Sequence, residues 1–192
     1  MQGIRLLVLD VDGVLTDGAI SYTAPLPSHD TSSTGTGDET LMHEQKSFNV
    51  QDGLGIRLLQ QYGIEVAIIT GRRSPMVEQR ARELGITRLF QGRNDKLAAL
   101  KELAKECSLP LVHIGYCGDD LPDLGAIQAA GLGASVANAP DYIRVHANIV
   151  TEKRGGEGAV RELADLILQA QGYWDSVLAQ FITQAKPNCA AG

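Results

Sequence analysis

Short apolar runs recur along the chain, and most of them end in glycine or in polar residues. Ile4 with Leu6–Leu9, then Ile64–Thr70 (IEVAIIT), Leu111–Tyr116 (LVHIGY) and Leu132–Val136 have the length and composition of buried strands, and Ile86–Phe90 and Asn148–Val150 read as shorter strands. The segments between them carry helical spacing. Asp52 is positioned to cap a helix over about Gly53–Tyr62, with Leu54, Leu58 and Leu59 turned inward. Pro75 suits the first turn of a helix opening at Arg73 or Ser74, whose apolar side is Val77, Ala81 and Leu84. Asp95 begins another, with Leu97, Leu100, Leu103 and Ala104 spaced for one buried face. A glycine-rich turn, Gly155–Gly158, precedes an amphipathic helix over Ala159–Ala170. A last helix, Tyr173–Gln184, carries Trp174, Val177, Leu178, Phe181 and Ile182 on its apolar side. Strands alternating with helices predict an α/β fold, a doubly wound, Rossmann-like parallel sheet covered on both faces.

One stretch breaks the alternation. Ala19–Tyr22 and Leu41–Phe48 read as the two arms of a long β-hairpin inserted after the first strand, residues 19–48 in all. The Ser/Thr/Gly/Pro-rich run between the arms, Ala24–Thr40, has the composition of a flexible loop. No repeat or linker divides the chain. The expectation is one domain over 1–184 and a flexible tail over 185–192.

Composition narrows the function classes. Of 192 residues, 44% are hydrophobic and 21% charged, which is ordinary for a globular domain, and aromatics at 5% leave a mostly aliphatic core. The net charge of -6 argues against a nucleic-acid binder or a polybasic membrane patch. Cys107, Cys117 and Cys189 are odd in number and lack metal-type spacing, so a reduced, cytoplasmic setting is expected. No secretory leader pattern and no apolar run long enough to span a bilayer is evident, so no membrane partner is expected.

The chemistry concentrates at strand ends. Leu6–Gly18 reads LLVLDVDGVLTDG, a buried strand running into Asp10, Asp12 and Gly13. Residues two apart in a strand share a face, and a glycine lets the chain turn and re-aim the second carboxylate. One aspartate can serve as nucleophile or metal ligand and the other as acid or base. The second strand ends in Thr70 and Gly71, the LVHIGY strand in Gly118-Asp119-Asp120 with Asp123 beyond, and Lys96 sits in the first turn of a helix. A cation there opposes the helix dipole, which an adjacent anion would explain. Carboxylates without soft ligands suit Mg²⁺, while a hydroxyl, backbone N–H groups and an ammonium suit phosphate oxygens.

Taken in order, Asp10–Gly13, Thr70, Lys96 and Gly118–Asp120 resemble the four motifs of the haloacid dehalogenase superfamily. More narrowly, DVDGVLTDG, FNVQDGLGIR, VAIITGR, FQGRNDK, GDDLPD and RGGEGAVRE resemble the phosphatases of 3-deoxy-D-manno-octulosonate 8-phosphate, enzymes of lipopolysaccharide biosynthesis. The resemblance implies that Asp10 attacks phosphorus and that Asp12 protonates the leaving alcohol and then activates water. It implies Mg²⁺ on Asp10, Asp119 and the Asp12 backbone carbonyl, with Asp120 or Asp123 in support. It implies phosphate binding by Thr70, Gly71 and Lys96, and substrate contacts from Asp12, Asn49, Val50, Gln51, Asp52, Gly53, Arg57, Arg72 and Arg80. It further implies that there is no mobile cap domain and that the protein is a homotetramer in which the hairpin helps close a neighbour's site. Gln51 departs from the family's usual arginine, and the hairpin tip is longer than usual. The rival readings are a nonulosonate 9-phosphate phosphatase, a non-catalytic phosphatase-like binding module and a receiver domain.

Overall fold

The computed structural model describes residues 1–23 and 43–184. The loop expected over Ala24–Thr40 and the tail over 185–192 lie outside the described residues. In chain order, β1 (Leu6–Leu9) leads to β2 (Ser21–Thr23) and β3 (His43–Gln45), and then to α1 (Val50–Gln61). Next come β4 (Glu65–Ile69), α2 (Pro75–Glu83), β5 (Arg88–Phe90) and α3 (Lys96–Glu106). They are followed by β6 (Ile114–Cys117), α4 (Leu124–Ala129), β7 (Leu132–Ser135), α5 (Asp141–Arg144), β8 (Ile149–Val150), α6 (Ala159–Ala170) and α7 (Trp174–Gln184).

Six strands pair in the order β5-β4-β1-β6-β7-β8, every pair parallel. Leu6–Leu9 are wholly buried because β1 is central and both faces are covered. Each such side chain contributes roughly 1.5–3 kcal/mol by leaving water. After β1 the chain builds outward through β4 and β5, then crosses back to lay β6 on the other side of β1. Strand order therefore reverses beside β1, and open α/β sheets hold ligands in the crevice that such a reversal creates. The hairpin arms, β2 and β3, pair antiparallel in a separate two-stranded sheet, with Tyr22 opposite Glu44.

The expected elements recur with several differences. Asn49, not Asp52, caps α1, accepting from the Gln51 N–H at 2.7 Å, so the helix begins earlier and Asp52 falls inside its first turn. Leu58 and Leu59 are buried, but Leu54 points outward. Asp95 caps α3 by accepting from the Ala98 N–H at 2.9 Å. Lys96, Ala99, Leu100, Leu103 and Ala104 form the buried face of α3, and Leu97 sits at its margin. Only the second half of LVHIGY is strand; Leu111–His113 form a 3₁₀ turn after Pro110. The α4 and α5 segments, of six and four residues, are too short to print a helical period. On α7, Val177 is buried while Leu178, Phe181 and Ile182 stay exposed.

Candidate active site

The C-terminal ends of β1, β4 and β6 and the start of α3 open onto a cleft of about 500 Å³ lined by Asp10, Asp12, Thr70, Gly71, Arg72, Lys96 and Asp119. Asp120, Asp123, Asn94, Gly18 and Pro122 complete its wall. These residues come from four separate segments, and the parallel sheet is what brings them together.

Asp10 and Asp12 diverge as they leave β1. Asp10 is buried, and the Lys96 ammonium donates to its Oδ1 at 2.7 Å. Lys96 also donates to the Ile69 carbonyl at 3.1 Å and to Asp123 Oδ1 at 3.3 Å, so a cation in the first turn of α3 is fully partnered. Asp12 turns the other way. Its Oδ1 pairs with Lys46, which follows β3, and Arg72 Nε stands 4.0 Å from its Oδ2. At Gly13 the backbone has φ +91°, and any Cβ there would overlap the Asp119 carboxylate. Only glycine lets the turn pass so close.

The floor beneath this turn comes from the last third of the chain. Asn138 Nδ2 donates to the Gly13 carbonyl at 3.0 Å, and its Oδ1 accepts from the Gly155 N–H at 2.6 Å. The Gly156 N–H bonds the Val14 carbonyl at 3.2 Å. A Cβ on Gly155 would strike the Gly13 carbonyl, which is why the turn is glycine-rich.

Asp123 braces the third strand end. Tyr116 donates to its Oδ1 at 2.6 Å, and the N–H groups of Asp119 and Asp120 both reach its Oδ2 at 3.3 Å. Burial and the Asp123 charge raise the Tyr116 pKa, so the phenol stays protonated and donates. Asp120 spends Oδ1 on the Leu121 N–H at 2.8 Å, capping its own 3₁₀ turn. Asp119 keeps its carboxylate toward the cleft.

Asp10, Asp119 and Asp123 each offer an oxygen within 4.8 Å of the others. Burial first, then the Asp123 charge, pushes Asp10 up to about 6 against the pull of Lys96. Burial first, then the charges of Asp10, Asp123 and Asp120, pushes Asp119 up to about 7. A knot of carboxylates with one lysine is short of positive charge. Its all-oxygen donor set fits a hard divalent cation.

The expected substrate contacts divide in two. Asp12, Thr70, Gly71, Arg72 and Lys96 line the cleft; Asn49, Val50, Gln51, Asp52, Gly53, Arg57 and Arg80 do not. Asn49 donates to the Gly156 carbonyl at 3.3 Å. Asp52 is buried and accepts from the Arg161 N–H at 2.8 Å at the start of α6; burial raises its pKa against nearby backbone N–H groups. Arg80 donates to the Asn49 carbonyl at 3.2 Å and lies over the Phe48 ring, and Arg57 donates to the Glu83 carbonyl at 3.3 Å. Val50 and Gln51 face outward.

A family model described as haloacid dehalogenase-like hydrolase matches residues 88–163. The 3-deoxy-D-manno-octulosonate 8-phosphate phosphatase of Escherichia coli K12 is 44% identical over 181 residues, 94% of this chain and 88% of that protein. A crystal structure of the Moraxella catarrhalis phosphatase of that name, in complex with magnesium, phosphate and KDO, superposes with a TM-score of 0.83. It is 47% identical and covers 94% of both chains. The cobalt-bound Haemophilus influenzae enzyme gives 0.80 at 37% identity, over 96% of this chain and 98% of that one. The chain belongs to the 3-deoxy-D-manno-octulosonate 8-phosphate phosphatase family.

Three residues of this family member escaped the sequence reading: Lys46, Asn94 and Asn138. For Lys46 a signal existed. Glu44 and Lys46 are two apart on a strand arm, hence on one face, and an acid–base pair there aims at a partner. Asn94 and Asn138 sit in loops where no periodicity marks a side chain's direction. Among the described residues no helix is long and apolar enough to cross a membrane. Cys107 and Cys117 are free thiols, and Cys189 lies outside the described residues.

Proposed function

We infer that the chain is a Mg²⁺-dependent phosphatase that hydrolyses 3-deoxy-D-manno-octulosonate 8-phosphate to the free sugar acid and phosphate, a step of lipopolysaccharide biosynthesis. The observation that carries this is a cleft with two differently held aspartates, in a chain 47% identical to a phosphatase crystallised with magnesium, phosphate and KDO.

In our reading Asp10 is the nucleophile. One carboxylate oxygen bonds phosphorus as the bond to the sugar oxygen breaks, giving an aspartyl-phosphate and an alcohol. Asp12 supplies the proton to that oxygen, then takes one from the water that attacks the aspartyl-phosphate, releasing phosphate and restoring Asp10. Lys96, Thr70 and Gly71 hold the phosphoryl oxygens, and Arg72 at the rim meets the sugar acid's carboxylate. Asp10, Asp119 and the Asp12 backbone carbonyl would hold Mg²⁺, with Asp123 steadying Asp119. Bound there, the ion neutralises the crowded carboxylates and the phosphoryl charge.

We read 1–184 as one domain carrying the hairpin as an insertion, working in the cytoplasm as a homotetramer. The tetramer reading is supported by Ile20, Tyr22, Val50 and Leu54, large apolar side chains left exposed on the hairpin arms and α1. Asn49, Val50, Gln51, Arg57 and Arg80 would then contact substrate only where subunits meet, whereas Asp52 and Gly53 are buried within the subunit and support α1 instead. The binding-module reading gains nothing from the geometry, since both aspartates are present and separately held; the nonulosonate reading shares them, and the substrate panel decides it.

Phosphate release from a panel of sugar phosphates, with and without Mg²⁺, tests the assignment. The eight-carbon sugar acid ester should be preferred, the chelated enzyme and Asp10→Asn should be inactive, and sedimentation should give a tetramer. A nine-carbon ester cleaved faster would move the substrate assignment.

A further inference from the structure

Each of the paired aspartates meets its own buried lysine. Lys96 serves Asp10 from α3, while Lys46 serves Asp12 from the far side, just beyond β3, with a side chain only 1% exposed. We propose that Lys46 is the positioning residue for Asp12, holding that carboxylate on the hairpin side of the cleft, aimed at the leaving oxygen and away from the nucleophile. The proposal rests on the reading of Asp12 as proton carrier.

The need for such a residue follows from the crowding around Asp10. Asp12 is two residues from the nucleophile, and Lys96 already binds Asp10 and Asp123. A second carboxylate without a cation of its own would compete for that lysine or for the metal, and would leave the position from which a proton can reach the departing alcohol. Lys46 removes the competition by giving Asp12 a separate partner. Among the described residues it is the one side chain that hydrogen-bonds the Asp12 carboxylate.

Lys46 is itself anchored. Glu44 stands 3.6 Å from its ammonium and accepts from Arg72 Nη2 at 3.3 Å, and the same Arg72 nitrogen reaches the Tyr22 hydroxyl at 3.4 Å. Tyr22 and Glu44 are cross-strand partners in the β2–β3 pair. Charges thus alternate from Asp12 through Lys46 and Glu44 to Arg72, tying the hairpin to the residues after β4. An ammonium removed so completely from water is costly unless carboxylates compensate it. This burial separates Lys46 from a solvated surface cation.

The test is a double-mutant cycle in the full chain with Mg²⁺, reading kcat and KM for the sugar acid phosphate and for p-nitrophenyl phosphate. The variants are Lys46→Met, Lys46→Arg, Asp12→Asn and the Asp12→Asn/Lys46→Met pair. Lys46→Met should lower kcat roughly ten- to a hundredfold, a fraction of what general acid–base catalysis supplies, with KM changed less than about threefold. Lys46→Arg should recover part of the loss. The double variant should be no slower than Asp12→Asn alone, because coupled residues are not additive. Lys46→Gln carries the same cycle should the methionine variant unfold. Losses that multiply in the double variant, or a raised KM with kcat intact, would overturn the proposal. If the sugar acid ester is left uncut while the aryl ester is cleaved, the substrate reading falls and the aryl cycle still decides the role of Lys46.

Discussion

Removing the divalent cation should make the protein lose stability as pH rises from about 5 to about 8, the opposite of the usual carboxylate trend. The ordinary value for Asp10 is 3.8 and its folded value about 6; Asp119 moves from 3.8 to about 7. A group whose pKa is raised by folding contributes stability that is complete below its unfolded value and is lost as pH climbs through the folded one. At about 1.4 kcal/mol per pH unit, Asp10 spans roughly 3 kcal/mol, about half of it above pH 5. Asp119 falls mostly within the window, but its share is reduced because it is partly solvated. The two together amount to a loss on the order of 3 kcal/mol. At roughly 2–4 °C per kcal/mol for a domain of this size, the apo melting temperature should drop by about 6–12 °C. The lowered glutamates, Glu44, Glu83 and Glu102, have ordinary values of 4.5 and titrate below this window. Free Mg²⁺ at about a hundred times its Kd adds ~2.7 kcal/mol, and protons compete with it for the same oxygens. Calorimetry with chelator and with Mg²⁺ should therefore show a metal-dependent rise in Tm that is small near pH 5 and largest near pH 8. An equal rise at both ends, or an apo protein that gains stability through the window, would refute the account of the carboxylate cluster.

Gly13→Ala should lose Mg²⁺ affinity and kcat together, because the new Cβ overlaps the Asp119 carboxylate and the positive φ adds about 1–2 kcal/mol of strain; isothermal titration showing wild-type affinity would contradict it. Arg72→Ala should raise KM for the sugar acid phosphate about tenfold, the low end for a charged hydrogen bond at a half-exposed site, and change KM for p-nitrophenyl phosphate much less. Equal losses on both esters would make Arg72 a phosphate or scaffold residue.

The sheet was legible because buried parallel strands leave continuous apolar runs, and each of these runs contributes strand; the shorter runs at the two edges, β5 and β8, do so while only partly buried. The polar ends of those strands were legible for the same reason: the fold fixes which end opens on the cleft. What escaped reading depended on contacts made across the chain. Asn49 and Asp52 are both acceptable caps by type, and only the approach of α6, where Asp52 meets the Arg161 N–H, assigns them different helices. The partner of Lys46 is set only once the hairpin folds back over Asp12. Leu178 and Ile182 fit an inward stripe by spacing, yet α7 meets the body along one edge only.

The asparagine and glycines under the Gly13 turn have a consequence for synthesis. Asn138 and Gly156 lie more than a hundred residues downstream of the carbonyls they meet. The first acidic motif to leave the ribosome is thus among the last to acquire its final shape, since it waits for the glycine turn after β8. A nascent chain halted before Gly155 would hold every carboxylate of the cleft, both lysines and the central strands, and still lack the piece that sets the turn. Loop closure over such a span is slow compared with local helix formation, so competence for catalysis would arrive as one of the final events of folding.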